Sequence, residues 1–105
     1  MTESAPTLVI TPNDTGFAVD GEIDAHSAPT IAAAIAECDA DPLMIDLSGV
    51  NFVDSSGLRV LIEAHQTRQA AGRSMTLVRP SHVVSRLFDI AGVGEYLDIA
   101  ADAPE

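Results

Sequence analysis

Apolar positions along this chain follow two periods, and the change from one to the other predicts strands interleaved with helices. Short β-branched runs bounded by Gly, Pro, Asn and Asp predict strands, at Thr7–Thr11, Phe17–Gly21, Leu43–Leu47, Met75–Arg79 and Tyr96–Ile99. Apolar residues at i, i+3, i+4 and i+7 predict helices, from Ser27 to a stop at Pro42, at Leu58–Ala71, and from Pro80–Ser81 to Gly92.

The predicted order, β-β-α-β-α-β-α-β, indicates one α/β domain with a mixed, mostly parallel sheet. The first two strands form a hairpin, which we expect to have a longer loop over Pro12–Gly16. Three helices cover the sheet. Residues 1–6 and 101–105 are predicted to be loose tails around a domain at 7–100.

The helices carry one apolar stripe each. The stripes are Ile31, Ala34, Ile35 and Cys38 in the first helix, Leu58, Leu61, Ile62 and His65 in the second, and Val84, Leu87, Phe88 and Ala91 in the third. Cys38 is therefore predicted to be a core residue and not a redox sensor. Ser27 is the predicted N-cap of the first helix, and Gly72 fits the C-cap of the second.

The segment Asn51–Leu58 places an acidic residue and two hydroxyls where a strand passes into a helix. Asp54, Ser55, Ser56 and Gly57 should lie at the carboxyl edge of the sheet, where open α/β sheets keep their sites. A helix start has unpaired N–H groups and favours negative charge. A serine there can be a plain cap, a nucleophile, or an acceptor of phosphate.

Charge narrows the possible partners. Sixteen acidic residues stand against five arginines, there is no lysine, and the net charge is −11. Nucleic acid and anionic membrane surfaces are poor partners for such a chain, whereas a basic protein surface is a good one. One cysteine excludes an internal disulfide, and no signal peptide or membrane span is recognisable, so we expect a cytoplasmic protein.

Most enzyme chemistries lack their residues. A serine hydrolase elbow needs G-x-S-x-G, but Val53 and Asp54 occupy the positions two before Ser55 and Ser56. A phospho-accepting receiver aspartate needs a lysine, which the chain lacks. The three histidines and Cys38 show no metal-ligand spacing, and no glycine-rich phosphate loop is present, so we expect no catalytic set, metal or cofactor.

The remaining chemical interpretation is a regulated hydroxyl. A phosphate adds about −1.5 to −2 charges and three acceptor oxygens, and a helix N-terminus tolerates it. Beside Asp54, such a group would repel an acidic or apolar partner surface without unfolding the domain. The plainer interpretation, in which Ser55 or Ser56 caps the second helix, is compatible with this one.

Three segments resemble the anti-sigma-factor antagonists, which are stand-alone STAS domains. Ile45–Leu58 is similar to the family's strand followed by D-S-[ST]-G-[LI], Gly21–Asp24 to its G-[ED]-[LI]-D, and Ser85–Val93 to its R-L-F-x-x-x-G-[LV]. The similarity extends from about Leu8 to Ile99 and covers nearly the whole domain.

The resemblance implies a STAS fold and a partner-switching function. Proteins of this kind bind an anti-sigma factor that is a GHKL-type serine kinase, and they thereby release its sigma factor. The kinase inactivates the antagonist by phosphorylating the serine after the aspartate, here Ser55, and a phosphatase restores binding. Asp24, Asp54, Ser56 and Gly57 are then partner-binding neighbours of Ser55. The same fold also serves as a scaffold or sensor module without phosphoregulation, and this alternative stays open.

Overall fold

A hairpin followed by three strand-helix units builds the sheet. The computed structural model describes residues 8–101, so the predicted tail at 1–6, Thr7, and all of the predicted tail at 101–105 except Ala101 lie outside the described residues. The strands are β1 (Leu8–Asn13), β2 (Gly16–Ile23), β3 (Leu43–Val53), β4 (Met75–Val78) and β5 (Ile99–Ala100). The helices are α1 (Ala28–Glu37), α2 (Ser55–Ala70) and α3 (His82–Ala91), followed by a 3₁₀ turn at Val93–Glu95.

The strands lie side by side in the order in which they occur along the chain, β1-β2-β3-β4-β5. The β1–β2 pair is antiparallel, and the other three pairs are parallel. The predicted α/β class, with a mixed, mostly parallel sheet, an N-terminal hairpin and three helices, is therefore confirmed. The parallel strands share one carboxyl edge, and every loop that enters α1, α2 or α3 leaves the sheet there.

The hairpin is tighter than its sequence indicated. Asn13 pairs with Gly16, so only Asp14 and Thr15 form the turn, and the expected longer loop is wrong. The Asn13 side chain accepts a 3.0 Å hydrogen bond from the Thr15 N–H, which replaces part of the missing ladder. Pro12 is tolerated inside β1 because β1 is an edge strand.

The central strand β3 is more than twice as long as predicted. It continues past Leu47 through Ser48 and Gly49 to Val53, because two register shifts against β2 absorb the change in side-chain alternation. A Cβ on Gly49 would overlap the carboxylate of Asp20 as it lies against β3, so that side chain occupies the space above the glycine. The extension carries the chain to the edge where Asp54 begins the next helix.

The core lies between the sheet and the helices. Its buried members include Phe17, Val19, Leu43, Ile45, Leu47 and Leu77 from the strands and Ile31, Ile35, Leu61, Val84 and Phe88 from the helices. α1 and α2 pack against each other. With few aromatic residues, the core consists mainly of interlocking Val, Ile and Leu side chains, as the composition predicted.

Several predicted stripe positions differ in detail. Cys38 is half-buried and follows the end of α1 as its C-cap, so its assignment to the core is wrong, although it packs against the core's margin. Leu58, Ile62 and Leu87 are half-buried, and Ala91 is exposed. His65 is buried as predicted, with its Nε2 3.9 Å from the Asp98 carboxylate.

The helix ends follow their caps. Gly72 comes one residue after the C-cap Ala71, in the left-handed conformation at φ +76°, and its N–H donates to the Gln69 carbonyl. Gly92 ends α3 in the same way at φ +67°. The predicted strand at Tyr96–Ile99 begins only at Ile99, because the 3₁₀ turn and Leu97 close the core first.

Within residues 8–101, no helix combines the length and the apolar character needed to cross a bilayer.

Candidate functional site

Asp54 connects β3 to α2 and acts as the helix N-cap. Its extended backbone, at φ −96° and ψ −176°, lets its carboxylate accept a 2.9 Å hydrogen bond from the Gly57 N–H. Its carbonyl accepts the first intrahelical bond, from the Leu58 N–H at 2.9 Å. The expectation that Ser55 or Ser56 caps α2 is therefore wrong, because both serines already lie within the helix and Asp54 is the extended residue that precedes it.

With the cap supplied by Asp54, the two serines occupy the first turn of α2. Ser55 is exposed and Ser56 is half-buried. The helix start presents Ser55 to solvent at the spot where the macrodipole favours negative charge. Of the two hydroxyls, the one on Ser55 is the more accessible to another protein's active site.

Gly57 brings the start of α2 against the end of β2. A Cβ at this position would overlap the carbonyl oxygen of Ile23, and the residue is buried. The same carbonyl accepts a 3.1 Å hydrogen bond from the Asp54 N–H. The β3–α2 junction is therefore fixed directly on the loop that follows β2, and only glycine allows this approach.

The loop after β2 is closed by a reciprocal pair of hydrogen bonds. The Asp24 carboxylate accepts from the Ser27 N–H at 2.9 Å, and the Ser27 hydroxyl accepts from the Asp24 N–H at 3.0 Å. That hydroxyl also donates to the Glu22 carbonyl at 2.7 Å. Ser27 stands at the N-cap position of α1 as predicted, but its hydroxyl bonds the loop and not the helix.

Hydrogen bonding keeps Asp24 ionised. The Ser27 N–H is the main cause that lowers the pKa of the Asp24 carboxyl below its ordinary value, against a smaller opposing effect of burial. Asp24 is thus a fixed negative charge at neutral pH, held in a loop that leaves it only half-buried.

A third helix start completes this edge. β3 extends past the end of β4, and Ser81 takes the place of a neighbouring strand: its N–H donates to the Leu47 carbonyl at 3.3 Å and its hydroxyl donates to the Val50 carbonyl. The same hydroxyl accepts from the Val84 N–H at 3.2 Å and caps α3. The carboxyl-terminal half of β3 therefore has a hydrogen-bonding neighbour on each side, β2 on one side and Ser81 on the other.

The five residues predicted as the site lie together. Asp24 follows β2, and Asp54, Ser55, Ser56 and Gly57 follow β3, with the Ile23 carbonyl joining the two loops. Sequence reasoning missed Ser27 as the residue that holds Asp24. The D-x-x-S spacing of Asp24 and Ser27 was the available signal, since short side chains three residues apart can bond each other's N–H.

The side chains of this edge are acidic or neutral. Its side chains are carboxylates and hydroxyls, and the nearest arginine on α2, Arg59, is occupied by Glu63 at 3.5 Å. Among residues 8–101, no three His, Cys, Asp or Glu side chains are grouped so as to hold a metal ion.

Comparison with known proteins agrees with this architecture. The model of the STAS domain family matches residues 5–105. The chain belongs to the STAS domain family. It is 38% identical over 92 residues to the anti-sigma-B factor antagonist of Bacillus subtilis, covering 85% of this chain and 84% of the relative.

Solved structures give the same result. An anti-sigma factor antagonist from Mycobacterium paratuberculosis superposes with a TM-score of 0.73 at 26% identity, covering 94% of this chain and 91% of that one. The Bacillus cell fate determinant SpoIIAA in its phosphorylated form superposes at 0.62 with 22% identity, covering 93% and 92%, a likeness of fold.

Proposed function

We propose that this STAS domain is an anti-sigma-factor antagonist. It binds an anti-sigma factor that is a serine kinase of the GHKL type, and it thereby releases the sigma factor. Phosphorylation of Ser55 by that kinase switches the binding off, and a phosphoserine phosphatase restores it. ATP belongs to the kinase, so the chain itself acts as a binding module and kinase substrate.

The observation that carries this proposal is that different residues at the start of α2 cap the helix, fix its position and expose a hydroxyl. Asp54 caps the helix and Gly57 fixes its position, so the exposed hydroxyl of Ser55 is free to be modified. The 38% identity to an anti-sigma-B factor antagonist supports the choice of partner.

Electrostatics explains how the switch works without refolding. The N-terminus of α2 stabilises a phosphate on Ser55, so the domain keeps its structure. The partner, however, meets a dianion added to a surface that already carries Asp24 and Asp54. Partner binding then requires removing water from that charge, which is costly unless a cation pairs with it.

Phosphorylation in vitro tests the site assignment. Each GHKL-type serine kinase encoded in the source genome is incubated with ATP and the wild-type chain, Ser55→Ala or Ser56→Ala. We expect one kinase to phosphorylate the wild type and Ser56→Ala, while Ser55→Ala stays unmodified by mass spectrometry. Full phosphorylation of Ser55→Ala would overturn the assignment.

Binding tests the switch itself. The affinity of that kinase for Ser55→Ala should equal its affinity for the wild type, and Ser55→Asp should bind at least about tenfold more weakly. Equal binding of all three, together with a large stable assembly on size exclusion, would favour the scaffold module over the switch.

A further inference from the structure

One aromatic side chain beside the site has no role in the core. Phe52, the next-to-last residue of β3, is 43% exposed, whereas its neighbour Val53 is buried. Across the sheet it pairs with Glu22, which is also exposed, while the next pair, Ile23 and Val53, is buried. Phe52 and Glu22 therefore face away from the core together.

An exposed phenylalanine at a strand end needs an explanation in this chain. The core takes its apolar surface from buried aliphatic side chains and from Phe17 and Phe88, and Phe52 is not among its members. At 43% exposure, somewhat less than half of the roughly 150–250 Å² of an aromatic side chain is left for burial in a partner. Aromatic residues are enriched at the centres of protein interfaces.

The position of Phe52 connects it to the switch. Ser55 comes three positions after Phe52, so the two Cα atoms lie within about 11 Å of each other. Three acidic residues lie close to Phe52 along the backbone: Glu22 is its pair on the neighbouring strand, Asp24 follows that strand, and Asp54 is two residues after Phe52. An aromatic group bordered by negative charge is complementary to an apolar recess bordered by arginine or lysine.

We propose that Phe52 is the apolar anchor of the partner-binding surface and enters an apolar recess, bordered by basic side chains, on the anti-sigma factor. The surface runs from Glu22 and Asp24 across Phe52 to Ser55, and the inference rests on the proposed function. A phosphate on Ser55 blocks docking because it meets the apolar part of the recess, where seating the ring would strip water from a dianion that no cation pairs.

Truncation of the ring tests the anchor. Binding of the phosphorylating kinase is measured by calorimetry for the wild type, Phe52→Ala, Phe52→Leu and the control Ile90→Ala. Ile90 is more exposed, at 79%, and lies near the far end of α3. We expect Phe52→Ala to weaken binding by about 10- to 100-fold, Phe52→Leu by only about threefold, and Ile90→Ala by less than about twofold.

Thermal unfolding of the same variants is followed by circular dichroism. Because the ring of Phe52 is exposed, we expect the unfolding midpoints of both Phe52 variants to stay close to that of the wild type. Wild-type affinity in Phe52→Ala, with binding still lost in Ser55→Asp, would overturn the anchor and leave the proposed function standing. Failure of the wild type to bind any GHKL-type kinase would overturn both.

Coupling between the two residues sharpens the test. If the phosphate acts by hindering the seating of the ring, phosphorylation should reduce the affinity of Phe52→Ala by a smaller factor than it reduces that of the wild type. Equal factors in the two backgrounds would contradict the coupling and with it this role of Phe52.

Discussion

The two ends of the sheet are tied by different kinds of side chain. At the carboxyl edge, the short side chains of Asp24, Ser27, Asp54 and Ser81 bond the backbone of nearby loops. At the opposite end, the long side chain of Arg68 reaches three backbone carbonyls, two of which are about thirty positions away in sequence. The three carbonyls are those of Ser74 at 3.1 Å, Cys38 at 3.5 Å and Ala40.

The Arg68 side chain stabilises the fold at one end of the sheet, whereas we expect the short side chains at the carboxyl edge to serve partner binding. Arg68 is 6% exposed, and burial, reinforced by neighbouring Arg73, lowers the pKa of its guanidinium. Arg73 adds a 2.9 Å bond to the Asp39 carbonyl. These arginines bond the carbonyls of two loops to each other, whereas the short caps of the other end leave Ser55 and Phe52 exposed.

The largest effect on stability should come from adding a side chain at Gly57, where α2 meets the end of β2. A methyl group there overlaps the Ile23 carbonyl, so Gly57→Ala should lower the free energy of unfolding by about 4 kcal/mol, because backbone must move. Urea denaturation measures this. The control is Gly94→Ala, whose new Cβ meets nothing within 4 Å, and similar losses in both variants would refute the tight contact.

Removing the hydrogen bonds of Arg68 at the other end of the sheet should have the next largest effect on stability. Arg68→Met removes three hydrogen bonds from a charged donor, and the Ala40 carbonyl loses the donor it has in Arg68, which should cost about 3 kcal/mol of unfolding free energy. Binding of the anti-sigma factor should be unchanged in the folded variant. Arg86→Met, at an exposed position, is the control, and a binding defect in Arg68→Met would contradict the separation of the two ends.

Loss of the Ser27 hydroxyl should have an intermediate effect. Ser27→Ala removes a donor to the Glu22 carbonyl and an acceptor for the Asp24 N–H, at a cost of about 1–2 kcal/mol. Because the loop also holds Asp24, binding should weaken as well. Ser48→Ala, on the exposed part of β3, serves as the control in both denaturation and binding measurements.

Acid should weaken the fold through carboxylates whose pKa is lowered on folding. Burial pushes the pKa of Asp46 upward, but the Ser48 N–H and the 2.9 Å bonds from Arg79 outweigh it. Stabilisation from such a group is complete above the unfolded value of about 3.9 and is lost as pH falls through the folded pKa.

Asp46→Asn should therefore flatten the fall of unfolding free energy below about pH 4, by up to about 1 kcal/mol because Arg79 is half-exposed. Denaturation curves across this range, with Asp14→Asn as the control, measure it. An unaltered acid slope in Asp46→Asn would show that the pair contributes nothing to the pH dependence.

The smallest effect is expected at the switch residue itself. Ser55 is exposed and Asp54 provides the cap, so Ser55→Ala should change the free energy of unfolding by less than about 0.5 kcal/mol. Asp54→Ala, which removes the cap, should cost about 1 kcal/mol by comparison. The reverse ranking in denaturation would mean that the serine, and not the aspartate, holds the helix start.

The sequence was informative where neighbours in the chain are neighbours in space. The junction at Asp54–Gly57 was predictable because a strand end, a hydroxyl pair and a glycine follow one another within a few residues. Which residue caps α2 was not predictable, because Asp and Ser are equally good N-caps and only the backbone of Asp54 decides. The roles of Asp24 and Ser55 in partner binding stay predictions.

Longer-range features left no local signal. β3 seemed to end at Leu47 because Ser48 and Gly49 interrupt the apolar alternation, and only pairing with β2 shows that they continue the strand. The bonds of Arg68 to the Cys38 and Ala40 carbonyls join residues about thirty positions apart, so no local sequence pattern indicates them. The exposed ring of Phe52 was likewise hidden, since an isolated aromatic in a strand normally indicates the core.

The sequential strand order has a consequence for synthesis on the ribosome. Each strand pairs with the strand that precedes it in the chain, so no segment must wait for a distant one before joining the sheet. We expect the nascent chain to add strands in order, starting from the hairpin, because local contacts close with little loss of entropy. The edge that bears Asp24 and Ser55 would be nearly complete before the last two strands leave the exit tunnel.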